Sequence, residues 1–339
     1  MKGIRRFLFG LILIAALAIG GLAGWVNQET QPTGSGEPKY IRFEDDVPLR
    51  TALDRLEREG CIRNAQALEL YARYKRDTLP VSNGTYQLSP GMHRNRVLQA
   101  LRKPIRQMVR VPSFYWIART AELLESKGVC TAEEYVAATQ APEVFQSLVS
   151  FPLPEDSLEG YLYPDTYDFP PLLGAHGAIA RQLKAFETKV YQALDKPKDL
   201  HRAVIIGSMV QLEAALDEER PRIAGVIENR LRLGMRLQID ATVNYGLQVW
   251  RPLLASEYQS VKSPYNTYRI AGLPPGPICS PTVASISGAL KPETHDYLYY
   301  VAMPDRYHLF STRYEDHLAN IRKRRQAIAA LKAQEQASS

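Results

Sequence analysis

Among the 36 Asp and Glu residues of this 339-residue chain, Glu213 stands apart by its setting. The stretch Leu200 to Leu212 is apolar on most sides, with Gly207 and Ser208 as small breaks, and so predicts a helix buried in a core. Ile206, Met209, Val210 and Glu213 follow the i, i+3, i+4, i+7 spacing and share one of its faces. A carboxyl in such company loses hydration, its charged form is disfavoured and its pKa rises. That is what a general acid working near neutral pH requires. The bland reading of Glu213 taken alone is a carboxylate satisfied by an arginine such as Arg230 or Arg236. Gln211, two positions earlier, projects from another face. Glu218 and Glu219 lie just before Pro221, where acids suit the positive end of a helix.

Other reactive combinations are thin. His308 and His317 fall outside the usual zinc spacings, so neither a metal nor any other cofactor is expected. The three cysteines, Cys61, Cys130 and Cys279, fit neither a disulfide framework nor a C-x-x-C site, and Cys61 and Cys130 read equally as buried thiols or as a pair. The formal charge of +6, 42 Lys plus Arg against 36 Asp plus Glu, is spread along the chain and comes with no nucleic-acid reader motif.

The elements that must position Glu213 follow from periodicity. The helix over 200–212 is succeeded by one from Pro221 to Leu233, stopped by Gly234, with Ile223, Val226, Ile227 and Leu231 facing inward. Residues 235–282 are poor in regular signals, and the loop from Gly272 to Pro281, with four prolines, reads as a rigid wall. Tyr297–Met303 and His308–Thr312 read as strands, and Tyr314–Leu331 as a charged terminal helix. Separate helices and strands argue an α+β fold. In the first half, a strand at Tyr40–Phe43 precedes a helix bearing Leu49, Ala52, Leu53 and Leu56 and a second helix near 64–74. The run Leu-Glu-Arg-Glu-Gly-Cys ending at Cys61 is echoed by Leu-Glu-Ser-Lys-Gly-Val-Cys ending at Cys130, which reads as a repeated small strand-helix-helix unit of LysM-like form. Such units serve equally as glycan binders or as spacers.

The N-terminus carries an anchor. Phe7 to Val26 is 20 residues without a charge, matching the ~20 residues that cross ~30 Å of hydrocarbon. Lys2, Arg5 and Arg6 precede it, so the N-terminus stays inside and the bulk lies outside. A leader cleaved near Ala16-Leu17-Ala18 is the competing reading, disfavoured by the length of the run. The expected organisation is a cytoplasmic segment 1–6, a membrane helix 7–26, a polar linker 27–39, a LysM-like module 40–105, a second small module with its connection 106–170, a catalytic domain 171–333 and a tail 334–339.

The stretch from Arg222 through Asn229-Arg230-Leu-Arg-Leu-Gly to Asp240-Ala-Thr-Val-Asn-Tyr245-Gly continues in Pro264-Tyr-Asn266-Thr-Tyr268, Gly272-Leu-Pro-Pro-Gly-Pro, Tyr299-Tyr300-Val-Ala and His308-Leu-Phe-Ser-Thr. Together with Glu159-Gly-Tyr-Leu-Tyr-Pro-Asp-Thr-Tyr167, these motifs closely resemble the YceG-like endolytic murein transglycosylases, the MltG family, over residues 40 to 330. The resemblance implies a single-pass protein of the bacterial inner membrane with its enzyme domain in the periplasm. It implies cleavage of the β-1,4 bond between N-acetylmuramic acid and N-acetylglucosamine without water, leaving a 1,6-anhydro end and limiting strand elongation. In that family two glutamates separated by one residue end the helix before the Asn-Arg-Leu motif, and the second is catalytic; here these positions are Gln211 and Glu213. One carboxyl suffices because the sugar's own C6 hydroxyl is the nucleophile, whereas ordinary glycosidases need a second carboxylate.

Asn229, Gln238, Asp240, Tyr245, Asn266 and Tyr268 offer hydrogen bonds and flat faces suited to sugars and are the expected glycan-binding cleft, though each alone is more often structural. Arg230 divides evenly between packing and substrate contact. The expected partners are peptidoglycan glycan strands, with membrane cell-wall synthases as candidate protein partners. Two alternatives stay open: a non-catalytic peptidoglycan-binding scaffold, and a hydrolytic muramidase using Asp240 as its second acid.

Overall fold

The structure, a computed structural model, describes residues 2–338 and falls into two compact units. The first comprises the residues up to 108 together with 168–173. It opens with α1 (Lys2–Glu29), whose stretch Ile4–Glu29 is long and apolar enough to cross a membrane and is the only such helix among the described residues. Phe7, Ile12 and Leu17 stand exposed on it, as lipid-facing side chains would. The chain then runs through β1 (Lys39–Phe43), α2 (Leu49–Arg58), α3 (Ala65–Tyr74), β2 (Gly84–Leu88) and α4 (Arg94–Ala100) to β3 (Met108–Arg110). Strands β1 and β2 pair antiparallel from Lys39 opposite Leu88 to Phe43 opposite Gly84. The four apolar residues of α2 are all buried against Ile41, Phe43, Tyr86 and Leu88, and the Asn64 side chain caps α3 by accepting from Ala67 N at 2.9 Å.

The second unit, residues 109–167 and 174 onward, holds α5 (Ile117–Ser126), α6 (Ala132–Thr139), α7 (Ala175–Phe186), α8 (Leu200–Glu213), α9 (Arg220–Arg232), α10 (Asp240–Leu247), α11 (Glu257–Ser260), α12 (Val283–Leu290), the hairpin of β5 (Tyr299–Ala302) and β6 (His308–Ser311), and α13 (Tyr314–Ser338). Strand β4 (Thr166–Asp168) pairs with β3. The architecture is mixed α+β, with three two-stranded sheets among many helices. Residues 109–167 do not stand alone as a further unit. The outermost residues of the expected terminal segments, Met1 and Ser339, lie outside the described residues.

The echo ending at Cys61 and Cys130 has a local cause. Gly60 (φ +72°) and Gly128 (φ +67°) end α2 and α5 in left-handed conformations. Cys61 N bonds back to Leu56 O at 2.9 Å and Val129 N to Leu124 O at 3.0 Å. Both are the same glycine-terminated helix stop, which recurs wherever a helix must end sharply. All three cysteines are free thiols.

Helix α8 is the axis of the second unit and packs against α9 and α12. Gly207 makes this possible, since a Cβ there would sit 3.2 Å from Ile286 Cα of α12. Ser208 Oγ, buried, donates to Ile205 O and accepts from Ile278 N at 3.0 Å, satisfying the polar group inside the core. The region 235–282, expected to lack regular structure, in fact carries α10 and α11; both are short, of 8 and 4 residues, too short to leave a periodic signal.

Candidate active site

Glu213 is the last residue of α8, with Ile206, Met209 and Val210 fully buried beneath it. It lines a cleft of about 540 Å³ together with Arg230, Gln238, Asp240, Tyr268 and Tyr300. Although half-exposed to solvent, its carboxyl is crowded by protein on the cleft side, and this desolvation, followed by the nearby Asp240 charge, raises its pKa to about 7. The C-terminal end of α8 adds a negative dipole that acts in the same direction. Opposing these, Tyr300 donates a hydrogen bond to the carboxyl and Arg230 supplies positive charge. Arg230 is not an ion-pair partner of Glu213, and neither is Arg236, among the described residues. The Arg230 guanidinium is held by Leu298 O at 2.7 Å and Leu237 O at 2.6 Å, and Arg236 donates to Tyr268 O at 3.2 Å.

Asp240 opens α10, where a carboxylate suits the positive helix end. Its oxygens accept hydroxyls from Tyr268 at 2.5 Å and Tyr258 at 3.2 Å. Gln238 takes the left-handed conformation (φ +52°), uncommon for a residue with a side chain, and its N–H donates to Thr267 O at 3.2 Å. Ile239 N and Thr242 Oγ1 both reach Thr267 Oγ1 at 2.9 Å, so this one buried threonine ties the start of α10 to the loop bearing Tyr268.

Of the six residues expected to bind glycan, the structure brings Gln238, Asp240 and Tyr268 to Glu213 and places the other three elsewhere. Asn229 is buried, donating to His295 O at 2.7 Å and Tyr297 O at 3.0 Å while accepting from Arg232. It holds the approach to β5. Asn266, fully buried, braces its own loop by donating to Tyr258 O and Val261 O and accepting from Tyr268 N at 3.0 Å. Tyr245 turns away toward Glu159, which its hydroxyl meets at 3.3 Å. For the two asparagines the amide groups are consumed by backbone, the commonest use of a buried Asn.

Both strands of the hairpin were expected, β5 and β6 falling within 297–303 and 308–312, but its place beside Glu213 was not. Tyr300 was visible only as part of a motif, and nothing in its spacing says that β5 will lie beside the end of α8. Glu219 also departs from expectation. It occupies the N-cap position of α9 but its side chain makes no capping hydrogen bond; the buried carboxylate accepts from His308 N at 2.9 Å and from the His308 ring Nδ1 at 2.7 Å. No group of three or more His, Cys, Asp or Glu side chains gathers as a metal site among the described residues.

Gln211 is fully engaged away from the cleft. Its Oε1 accepts from Thr282 N at 3.0 Å, Thr282 Oγ1 at 2.8 Å and Ser285 Oγ at 2.8 Å, and its Nε2 donates to Ser113 Oγ at 3.2 Å. Three donors already face one oxygen, and Ser113 can rotate to donate to the other, so a carboxylate fits the same cradle. Gln211→Glu is therefore expected to keep activity within about tenfold, or ~1.4 kcal/mol of barrier. Turnover of purified peptidoglycan by the variant checks this, and complete loss would contradict it.

Comparison with known proteins places these features in context. The chain matches the YceG-like family over residues 41–323. It is 29% identical to an endolytic murein transglycosylase of Streptococcus pneumoniae (strain D39), over 92% of this chain and 63% of that protein. It is 26% identical to an endolytic murein transglycosylase of Bacillus subtilis (strain 168), over 77% of this chain and 78% of that protein. The chain thus spans under two thirds of the length of the pneumococcal relative. A crystal structure of a YceG-like protein from Listeria monocytogenes superposes with a TM-score of 0.56 at 29% identity, covering 84% of this chain and 99% of that one. With more than half of its length matched by the family, the chain belongs to the YceG-like family.

Proposed function

We propose that this protein is an endolytic lytic transglycosylase, cleaving the MurNAc-β-1,4-GlcNAc bond of nascent peptidoglycan strands and leaving 1,6-anhydro-MurNAc ends. The observation that carries the reading is the Glu213 carboxyl, raised to about 7 at the end of α8 in a cleft lined by hydroxyls and aromatic rings. At neutral pH such a group is part acid and part base. It protonates the leaving glycosidic oxygen, and the resulting carboxylate then takes the proton of the C6 hydroxyl as that oxygen attacks C1. Gln238, Asp240 and Tyr268 are assigned to sugar binding; Asn229, Tyr245 and Asn266 act behind them as framework. The relatives named endolytic murein transglycosylases support this substrate class.

Asp240 in the same cleft gives the hydrolytic alternative its one supporting observation. Each of its oxygens, however, already accepts a tyrosine hydroxyl, from Tyr258 at 3.2 Å and from Tyr268 at 2.5 Å. Mass spectrometry of sacculi digested by the protein separates the two: anhydro fragments are lighter than hydrolysed ones by one water, and hydrolysed ends alone would reject the proposal.

The remaining assignments belong to the same reading. The β1-α2-α3-β2 unit is a LysM-like module that holds glycan, and the following small elements connect it to the catalytic body. α1 anchors the chain in the inner membrane with its N-terminus inside, as Arg5 and Arg6 before the apolar run require. Synthases in that membrane are the proposed protein partners. A reporter enzyme fused at the C-terminus should be active only outside the cytoplasm; cytoplasmic activity would reverse the orientation.

A further inference from the structure

A second concavity, of about 500 Å³, opens in the unit that holds Glu213. Glu155, Asp156 and Glu159 line it with the rings of Tyr161, Tyr245 and Tyr265, and no lysine or arginine does. In a chain of formal charge +6 this is a local reversal of sign. Glu155 and Asp156 are exposed at its rim, whereas Glu159 is 5% exposed. Oε2 of Glu159 is committed to the fold, accepting Ile117 N at 3.0 Å, at the start of α5, and the Tyr245 hydroxyl at 3.3 Å. Oε1 is not, being buried without a hydrogen-bond partner. Buried acceptors are rarely left open, and an open one in the wall of a cavity points to a donor that comes from outside. The one basic side chain in the wall, His201, meets the Tyr161 hydroxyl through Nδ1 at 3.0 Å and makes no hydrogen bond to Oε1.

The chemistry of the wall selects the visitor. The rim carboxylates Glu155 and Asp156 repel an anion, and burial raises the Glu159 carboxyl to about 7, so a bound cation would draw it into its charged form whereas a neutral sugar would not. A compact cation satisfies both the carboxylates and the negative faces of the tyrosine rings. We propose that this concavity binds a primary ammonium group on a flexible chain, and that its source is the free side-chain amine of an uncross-linked stem peptide. The source, though not the binding, rests on the peptidoglycan reading above. Helix α10 links the two sites: Asp240, its first residue, lines the Glu213 cleft, and Tyr245 lines this concavity. Five residues of helix put them about 7.5 Å apart along its axis, within reach of a peptide on a strand held at Glu213. Cross-linking acylates that amine and removes its charge, so the concavity distinguishes nascent strands from mature wall.

The test uses the full chain in detergent micelles, titrated with Nα-acetyl-lysinamide or with the same compound acetylated also on Nε, and followed by saturation-transfer NMR of the probe. The ammonium form should bind saturably and the acetylated form at least tenfold more weakly. Glu159→Gln should weaken the first at least tenfold. Because Glu159 also caps α5, the double variant Glu155→Gln/Asp156→Asn, at the exposed rim, provides a second reading and should weaken binding severalfold. Equal affinity for the two probes, saturable binding of neither, or binding unchanged in both variants overturns the site. In a separate arm, acetylating the stem amines of isolated strands should raise the apparent KM; an unchanged KM overturns the stem peptide as source. The probe titration does not depend on glycan cleavage, so it stands or falls apart from the role of Glu213.

Discussion

Glu213→Gln is expected to abolish release of anhydro-muropeptides while leaving the protein folded. The substitution keeps size and hydrogen-bonding capacity and removes only the transferable proton. General acid/base groups contribute roughly 10²- to 10⁴-fold, and with no second carboxyl doing the same work the loss should lie at the upper end. Stability should move the other way. The Glu213 carboxyl titrates near 4.5 when free and at about 7 in the fold. The folded state therefore binds more protons between these values, so its stability falls as pH rises from about 4.5 to 7 and stays lowered above. By linkage the rise from 4.5 to about 7 corresponds to roughly 3 to 4 kcal/mol, which solvent screening of this partly exposed carboxyl lowers to on the order of 2 to 3 kcal/mol. Gln carries no such charge, so the variant should melt higher than the wild type at pH 8 and not at pH 4. Near wild-type turnover by a well-folded variant would remove Glu213 from the mechanism and make Asp240 the next candidate.

The same titration predicts the pH profile. Protonation of the leaving oxygen needs the acid form, so activity should decline as pH rises above about 7. Tyr300 stabilises the charged form by its hydrogen bond, and Asp240 opposes it by like charge. Tyr300→Phe should then move the alkaline limb to higher pH and Asp240→Asn to lower pH. Opposite shifts from two neighbours would locate the titrating group between them, whereas a general loss of structure would lower both profiles without moving them.

What could be read from the chain divides by the range of the interactions. The setting of Glu213 was legible because it is local: the buried residues beneath it, Val210, Met209 and Ile206, lie three, four and seven positions back on one helix. The long apolar helix α1 and the glycine-stopped α2 and α5 were legible for the same reason. Asn229 and Asn266 misled because an amide looks the same whether it meets a sugar or a carbonyl 68 positions away, as in Asn229 to Tyr297 O. Tyr300 and the Glu219–His308 pair depend on a hairpin closing over α8 and α9 from 89 residues further on, in the case of His308. No spacing rule reports such a contact, and a glutamate two residues before a helix proline has a sufficient local explanation without it.

That pair sets the second large expectation. His308 and Glu219 side chains are 2% and 4% exposed, with the ring Nδ1 at 2.7 Å and the His308 backbone N–H at 2.9 Å filling both carboxylate oxygens. His308 faces Ala302 across the hairpin, two residues from Tyr300 on the same strand. The contact therefore fixes the strand that carries the donor to Glu213. Removing one member of a buried hydrogen-bonded pair leaves the other without compensation and costs about 3 to 5 kcal/mol. Glu219→Ala and His308→Leu should each lower stability by that amount in urea denaturation, and lytic activity should fall with it even at temperatures where the variants remain folded. His308→Asn is the discriminating case. Its amide nitrogen can occupy the place of Nδ1 and restore the donor, so it should recover most of the stability and the pH profile set by Tyr300. If Glu219→Ala unfolds at the wild-type urea concentration, the hairpin is held by its aromatic packing, Tyr300 against Phe310 and His308, and the carboxylate is dispensable.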